Sequence, residues 1–486
     1  MAPTLTKRSR AFFQTRTAWL ACIASALFGC SVGPDYVRPT TESPSAYKEA
    51  PPFKSATPRD QEPRGNWWAV FKDPQLDALV SQVEVSNQTI KAAEARVREA
   101  RAMTQAARAA LFPMVDASAG ATRSGSRSAN FGSAAGTGSQ GGSVRNNYNV
   151  ALDVSWEVDL WGRVRRTIEA SEATAQASAA DLESAKLSAQ AQLAENYFLL
   201  RVQDAQIRLL NDTVDGYQRS LQLTRNQYAV GVAARADVAQ AETQLKSTQA
   251  QVIDAGLQRA QLEHAIAVLL GKAPAQFSIS AEVVPTEFPA IPSALPSELL
   301  ERRPDIAAAE RRAAAANAQI GVAEAAFFPS LTLSATGGFQ SSVLSQLFSL
   351  PSRYWSLGSA LAQAIFDAGL RRAQTAQAIA TYDENVANYR QTVLAGFQEV
   401  EDNLAALRIL RDAAAVQDDA VKSALESRAI TLNQYRAGTA NYLAVVVAQA
   451  TALTNERTAL SILGRRLTAS VALIKALGGG WNAPAL

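Results

Sequence analysis

The stretch Tyr148–Leu160 alternates without a fault. Tyr148, Val150, Leu152, Val154, Trp156, Val158 and Leu160 fall on one side; Asn149, Ala151, Asp153, Ser155, Glu157 and Asp159 fall on the other. A period of two over that length is a β-strand with one dry face and one wet face. Soluble strands usually stop at about five or six residues. A strand that crosses an outer membrane needs about ten, with aromatic residues near the interfaces. Tyr148 sits at one end of the run, and Trp156 and Trp161 sit near the other. In a barrel the carboxylates Asp153, Glu157 and Asp159 would face the lumen, as hydrated groups rather than as the acid pair of a hydrolase.

The leader has its own pattern. Residues 1–29 read as a secretory signal: Lys7, Arg8, Arg10 and Arg16 are basic, and Ala18 to Phe28 is an apolar run too short to span a bilayer. The run ends at Leu27-Phe28-Gly29-Cys30, which is similar to a lipobox. Cys30 is the expected site of lipid attachment and the expected first residue of the mature chain. The whole sequence carries a net charge of +3, but from Cys30 onward 43 basic residues face 44 acidic ones. The excess base belongs to the leader and gives no reason to expect nucleic acid as a partner. Cys22 leaves with the signal, so no disulfide is expected.

Residues 31–66 are rich in Pro, Ser, Thr and charge, an extended segment. Asp73-Pro74 then signals a helix start, a capping carboxylate followed by Pro at the first helical position. Helical pattern runs to about Leu111 and breaks at Phe112-Pro113. Met114 to Ser124 alternates, a weaker first strand. Between the two strands lies a Gly- and Ser-rich loop containing Gly136-Thr137-Gly138-Ser139-Gln140-Gly141. A dinucleotide site would need a strand before this motif and a helix after it; a loop precedes it and a strand follows. Beyond Gly162, Leu193, Leu200, Ile207, Val214, Leu221 and Tyr228 recur every seven residues. A strict heptad implies left-handed supercoiled helices. At 1.5 Å per residue, Arg163 to Tyr228 makes a rod of roughly 100 Å. The pattern breaks at Gly231 and resumes from about Arg235 to Leu270.

The chain is written twice. Ala92-Ala93-Glu94-Ala95-Arg96 matches Ala308-Ala309-Glu310-Arg311-Arg312, and Ala110-Leu111-Phe112-Pro113 matches Ala326-Phe327-Phe328-Pro329, both at an offset of 216. Gly162 matches Gly369, Asn226 to Gly231 matches Asn433 to Gly438, and Leu270-Gly271 matches Leu477-Gly478, all at an offset of 207. The nine missing residues fall inside the second β-hairpin. There Leu331, Leu333, Ala335, Gly337 and Phe339 alternate with polar residues, and Trp355, Leu357, Leu361 and Ile365 share one face of a fourth strand. The heptad also recurs, as Val400, Leu407, Ala414, Val421 and Tyr435.

The expected fold is mixed and mainly α, with a two-fold internal repeat. The expected domains are a signal at 1–29, a lipidated extended segment at 30–66, a first repeat at 67–287 and a second at 288–478. A short tail follows at 479–486. The β-hairpins are expected near 113–160 and 329–366, and the long helical hairpins near 163–271 and 369–477. Four strands cannot close a barrel, since the smallest have about eight. Open edges cannot face lipid, where nothing satisfies their N–H and C=O groups. The barrel must be shared between copies under cyclic symmetry. Two chains would supply about eight strands and three about twelve. The helices would continue the ring as a coiled-coil tube on the periplasmic side, where the termini and anchor lie.

The chain resembles the outer-membrane efflux proteins of the TolC-like family, in the lipoprotein (NodT-type) branch. The resemblance rests on Gly29-Cys30-Ser31-Val32-Gly33-Pro34-Asp35-Tyr36, on Trp67-Trp68 to Asp73-Pro74, and on Trp156-Glu157-Val158-Asp159-Leu160-Trp161-Gly162-Arg163. It rests further on Glu301-Arg302-Arg303-Pro304-Asp305-Ile306, Ile320-Gly321-Val322-Ala323 and Phe327-Phe328-Pro329-Ser330. It implies a homotrimer with a transmembrane β-barrel in the outer membrane and a helical periplasmic tunnel. It also implies a periplasmic adaptor (membrane fusion) protein and an inner-membrane pump of the resistance-nodulation-division class as partners. The implied function is passive conduction of small toxic compounds or drugs across the outer membrane. A duct for type I protein secretion is the alternative. Tyr228, Asp237, Tyr435 and Arg436 are the expected periplasmic gate. Relatives usually carry inward carboxylates just past the second break; the matching positions here are Ala444 and Val447, and the frequent Arg is Ala440.

No enzymatic chemistry is expected. His264 is the only histidine, in a heptad region without a Ser–Asp context, and one His with no paired Cys makes no zinc site. No cofactor and no metal is expected.

Overall fold

A computed structural model describes residues 31–41, 47–48, 66–126, 143–282 and 303–479. The leader 1–29, Cys30, the Gly136–Gly141 motif, Glu301-Arg302 and residues 480–486 lie outside the described residues. After a 3-10 turn at Trp67–Phe71 come α1 (Pro74–Ser86), α2 (Gln88–Ala109), β1 (Met114–Ser126) and β2 (Ser143–Val158). The long helices α3 (Arg163–Ala229) and α4 (Arg235–Leu269) complete the first copy. The second has α5 (Pro304–Ala325), β3 (Ser330–Ser341), β4 (Arg353–Ala362), α6 (Leu370–Arg436) and α7 (Tyr442–Ala476).

The duplication is visible in the element boundaries. α2 and α5 are each 22 residues long, α3 and α6 each 67, and α4 and α7 each 35. Both ends of α2 and α5 differ by 216 in number, and both ends of the other pairs by 207. The signals that set those ends are local. Gly231 and Gly438 close α3 and α6 at φ 79° and 76°, a left-handed conformation that costs glycine little and other residues more.

Three expectations need correction. The helix from Pro74 does not run unbroken to Leu111. Asn87 interrupts it: its Oδ1 accepts from Thr89 N and Ile90 N, and its Nδ2 donates to Leu269 O. An Asn side chain competes well with helical backbone for such bonds. The second strand stops at Val158, so Asp159 and Leu160 are not on it. β4 stops at Ala362, so Ile365 lies past its end.

The chain divides into two compact units. The first lies within Met1–Pro39, Arg98–Gln176 and Glu310–Ala387, the second within Thr40–Val97, Ala177–Ala309 and Asn388–Leu486. The first holds one antiparallel sheet of four strands in the order β1-β2-β3-β4. Its register separates two chemistries. Asp116, Asp153, Thr336 and Ser356 form one cross-strand row, and Val115, Val154, Ala335 and Leu357 form the next. Leu152, Trp355, Leu357 and Leu361 on the apolar face are all exposed, Leu357 by 76%. Gly338 opposes Ala151, where a Cβ would stand 2.3 Å from Val150 O.

The second unit buries helices against helices. Its largest cluster joins Trp67, Trp68, Leu76, Val80, Leu193, Phe198, Leu200, Ile266, Leu467 and Val471. The heptad residues Leu193 and Leu200 are fully buried there. Asp73 caps α1 by accepting from Gln75 N and Leu76 N, at 3.0 and 3.1 Å. Its other oxygen accepts from Tyr197 Oη at 2.6 Å, which fixes the start of α1 on α3.

Candidate functional site

In the second unit the four long helices turn in two tips, Ala229–Arg235 and Arg436–Tyr442. Their backbones match. Gly231 N donates to Tyr228 O and Val232 N to Gln227 O; Gly438 N donates to Tyr435 O and Thr439 N to Gln434 O. The helices that follow are capped by different means. Asp237 Oδ2 accepts from Ala234 N at 3.0 Å, so its carboxylate serves its own helix start. Its counterpart 207 residues on is Ala444, and α7 is capped instead by Asn441, whose Oδ1 accepts from Ala444 N at 3.0 Å. A helix with a good N-cap has no need of a carboxylate three residues in.

The side chains of the matching tyrosines part company. Tyr435 is 5% exposed and Tyr228 is 45% exposed. Tyr435 packs with Tyr217, Leu221, Val238, Leu245, Tyr442 and Val445. Its ring centroid lies 5.4 Å from that of Tyr442, within the range of favourable aromatic pairs. Its hydroxyl donates to Thr224 Oγ1 at 3.1 Å. Thr224 Oγ1 in turn donates to Ser220 O, and Ser220 Oγ accepts from Gln449 Nε2 at 3.0 Å. Gln244 Nε2 donates to Tyr217 Oη at 3.1 Å. Ser220 and Thr224, one turn apart on α3, thus receive one polar group from α6 and one from α7. These bonds are buried, where a missing partner costs most.

The four residues expected at the gate are therefore not one constellation. Tyr435 joins the two helical hairpins. Asp237 caps α4, and Arg436 sits exposed with Nη1 3.5 Å from Asn433 Oδ1. Burial raises the Tyr435 hydroxyl pKa, and the Asp237 carboxylate reinforces the shift. Burial pushes the Tyr442 hydroxyl up to about 12, with Tyr435, Tyr217 and Asp237 adding to it. Beside the second tip is a surface groove of about 410 Å³ lined by Ala424, Thr431, Leu443, Ala444, Val447 and neighbours, none of them charged. Leu443 and Val447 are more than half exposed.

The strand carboxylates also separate. Asp153 accepts from Ser118 Oγ at 3.0 Å and Thr336 Oγ1 at 2.8 Å, which ties three strands on the polar face. Glu157 pairs with Arg163 at 2.7 Å. Asp159, past the strand, caps α3 through Val164 N and Arg165 N. His264 is exposed on α4. Among the described residues no group of three His, Cys, Asp or Glu side chains could hold a metal ion.

Sequence reading missed Thr224, Ser220 and Gln449, polar residues that a count of apolar heptad positions passes over. It also missed Arg201, which follows Leu200 and is fully buried. Its Nη1 donates to Asp204 and to Ser280 O at 3.1 and 2.7 Å, and its Nη2 contacts Gln75. An arginine inside an apolar stripe was the available signal.

The Outer membrane efflux protein family profile matches residues 79–272 and 295–479. The chain is 34% identical over 475 residues to the toluene efflux pump outer membrane protein TtgF of Pseudomonas putida, covering 96% of this chain and 98% of that one. It is 30% identical over 469 residues to the cation efflux system protein CusC of Escherichia coli, covering 95% and 98%. Its fold superposes on that of the outer-membrane channel OprN with a TM-score of 0.83 at 32% identity, covering 93% of this chain and all of that one.

Proposed function

Because the chain belongs to the outer membrane efflux protein family, and is thus an outer-membrane channel with a periplasmic tunnel rather than an enzyme, we propose that it works as a lipid-anchored homotrimer. Its partners in this reading are a periplasmic adaptor and an inner-membrane pump of the resistance-nodulation-division class. The observation that carries the reading is the sheet: an exposed apolar face, a polar face, and β1 and β4 each paired on one side only. β1 and β4 are the two edges and run antiparallel to each other, so head-to-tail joining continues the antiparallel order. Three copies give about twelve strands, a closed ring without lipid-facing edges. The test is the mass of the purified protein in mild detergent. Three chains with full β-signal support the shared barrel; one chain with full β-signal excludes it.

Efflux is favoured over protein secretion by the relatives. One is named for toluene and another for cations, so a duct of this kind passes unlike small solutes and leaves selection to the pump. The two repeats at 67–287 and 288–478 are the units that this duct triples. The anchor is lipid on Cys30. Incorporation of labelled fatty acid tests it: Cys30→Ser abolishes the label, and label retained in that variant refutes the assignment.

The gate is the tip cluster. Tyr435 holds α6 to α3 through Thr224, Gln449 holds α7 to α3 through Ser220, and Tyr228, Asp237 and Arg436 flank them at the turns. Closure then comes from packing and neutral hydrogen bonds, with Ala444 and Val447 in place of an acidic ring. Asp153 and Glu157 line the wet wall of the barrel, and Asp159 stands at its rim.

A further inference from the structure

Residues Ser31–Tyr36 lie in the first unit against the start of α3 and against α5, through a set of specific contacts. Val32 N donates to Trp161 O at 3.0 Å. Arg166, 4% exposed, donates from Nε to Val32 O at 3.2 Å, from Nη2 to Gly33 O at 3.2 Å and to Asp35 Oδ1 at 2.9 Å. Its Nη1 is held by Glu169 at 2.8 Å. Asn317, also buried, donates from Nδ2 to Pro34 O at 2.9 Å. Tyr36 Oη donates to Glu310 Oε1 at 3.0 Å. Three successive carbonyls are thus each met by a buried side-chain donor.

Shape adds to this. Gly33 has φ 98°, and a Cβ there would stand 2.4 Å from Gly321 Cα. A Cβ on Gly321 would stand 2.9 Å from Val32 O, and one on Gly162 would stand 2.6 Å from Ser31 Oγ. Three glycines, one on the segment and two on the wall, let backbone approach backbone where no other residue fits.

We infer that Gly162, Arg166, Glu310, Asn317 and Gly321 form a peptide-binding seat whose ligand is the segment Ser31–Tyr36, and that this seat holds the N-terminal anchor beside the end of β2. The ligand class is an extended peptide with glycine third, an acceptor carbonyl on each of residues two to four, a carboxylate fifth and a phenol sixth. Glu169 holds Arg166 Nη1 from one turn along the same helix, independently of the peptide, and a guanidinium oriented in advance lowers the cost of binding it. Ser31 packs on Gly162, four residues after β2 ends at Val158. A lipid on the preceding residue is thereby set at the rim of the sheet instead of ranging over the length of the extended segment 31–66. That consequence rests on lipidation of Cys30; the seat itself does not.

The test uses the full chain exported behind an ordinary cleavable signal, with Cys30→Ser so that no lipid holds a fragment in the micelle. A protease recognition sequence is placed between Thr41 and Tyr47. After cleavage in detergent, the N-terminal fragment co-elutes with the rest of the protein on gel filtration. With Gly33→Val, retention falls about tenfold or more, the size expected when a charge-assisted bond is lost. Arg166→Gln with Asn317→Ala gives the same result from the side of the seat. A labelled peptide of the Ser31–Thr41 sequence, added to the cleaved unsubstituted protein, exchanges into the seat, and its Gly33→Val version does not. That arm requires no change in the folded part. A fragment that leaves the unsubstituted protein at once, or two peptides that bind alike, overturns the inference.

Discussion

The Tyr435 hydroxyl donates to Thr224 Oγ1 at 3.1 Å, joining the last turn of one repeat's helix to the other repeat's helix. Tyr435→Phe leaves that buried oxygen without its donor and costs about 1 kcal/mol. Adding Thr224→Val removes both partners and recovers part of the loss, because matched apolar groups need no bond. Heat-dissociation midpoints of the four proteins in this cycle measure the coupling. Equal and additive losses would show that the bond contributes nothing. In bilayer recordings Tyr435→Phe raises the resting conductance.

Neutral closure predicts weak block by multivalent cations from the periplasmic side. Ala444→Asp places three carboxylates near one another in a trimer, and close like charges are relieved by a bound cation. Block by a trivalent cation should strengthen in that variant. Strong block of the unsubstituted channel would mean that carboxylates from elsewhere line the constriction.

Tyr442 gives a pH prediction. Its hydroxyl is held up to about 12, against an ordinary value of about 10. The folded state binds this proton more tightly than the unfolded one, so the contribution is fully present below about pH 10 and is lost as pH rises through about 12. Tyrosinate absorbance should show a late step that Tyr442→Phe removes without touching the earlier ones. Loss of an early step instead would place Tyr442 in water.

Arg201 is a structural keystone of the second unit. Arg201→Met leaves Asp204, Gln75 and Ser280 O without their shared donor. Asp204 keeps Arg259 at 2.7 Å, so it is not stranded. Leaving the neutral buried acceptors without their donor, with Asp204 still paired, costs about 1–3 kcal/mol. The melting temperature should fall and the 272–282 segment should become the first site of proteolysis. An unchanged midpoint contradicts the network.

Three helical glycines separate by surroundings. A Cβ on Gly216 or Gly256 meets nothing within 4 Å, whereas one on Gly464 stands 3.3 Å from Val202 Cγ2. Gly216→Ala and Gly256→Ala should each stabilise by about 0.5–1 kcal/mol. Gly464→Ala should gain less or lose. Destabilisation at Gly216 or Gly256 would locate a contact with a neighbouring copy.

What the sequence made legible was what repeats or alternates. The boundaries at Gly162, Gly231, Gly271 and their partners follow from local backbone needs, and the strand faces follow from parity. The cap at Asp73 is likewise a local signal, whereas the 3-10 turn at Trp67–Phe71 was not foreseen. The Arg166 and Arg201 networks were not legible, since Arg166 meets Val32 across 134 positions and Arg201 meets Gln75 across 126. Nor was the divergence of Tyr228 from Tyr435: identical backbone turns carry the two tyrosines, and only the packing of four helices decides which one is buried. Asp159 looks like a strand residue because alternation cannot tell the last strand position from a helix cap one residue on.

A channel of this design requires the four strands to be a wall between lipid and water. Single cysteines along Leu333–Gly337 and at Phe339, each carrying a small fluorophore in a Cys30→Ser background, decide it in reconstituted vesicles. Quenchers attached to lipid chains should dim positions 333, 335, 337 and 339, whose side shares the exposed face with Leu357. A water-soluble quencher should dim positions 334 and 336, which share the face of Asp153; Gly338 is left unlabelled because no side chain fits there. Alternation between the two quenchers is the predicted result. Water-soluble quenching of all these positions alike would mean that the sheet does not lie in a membrane.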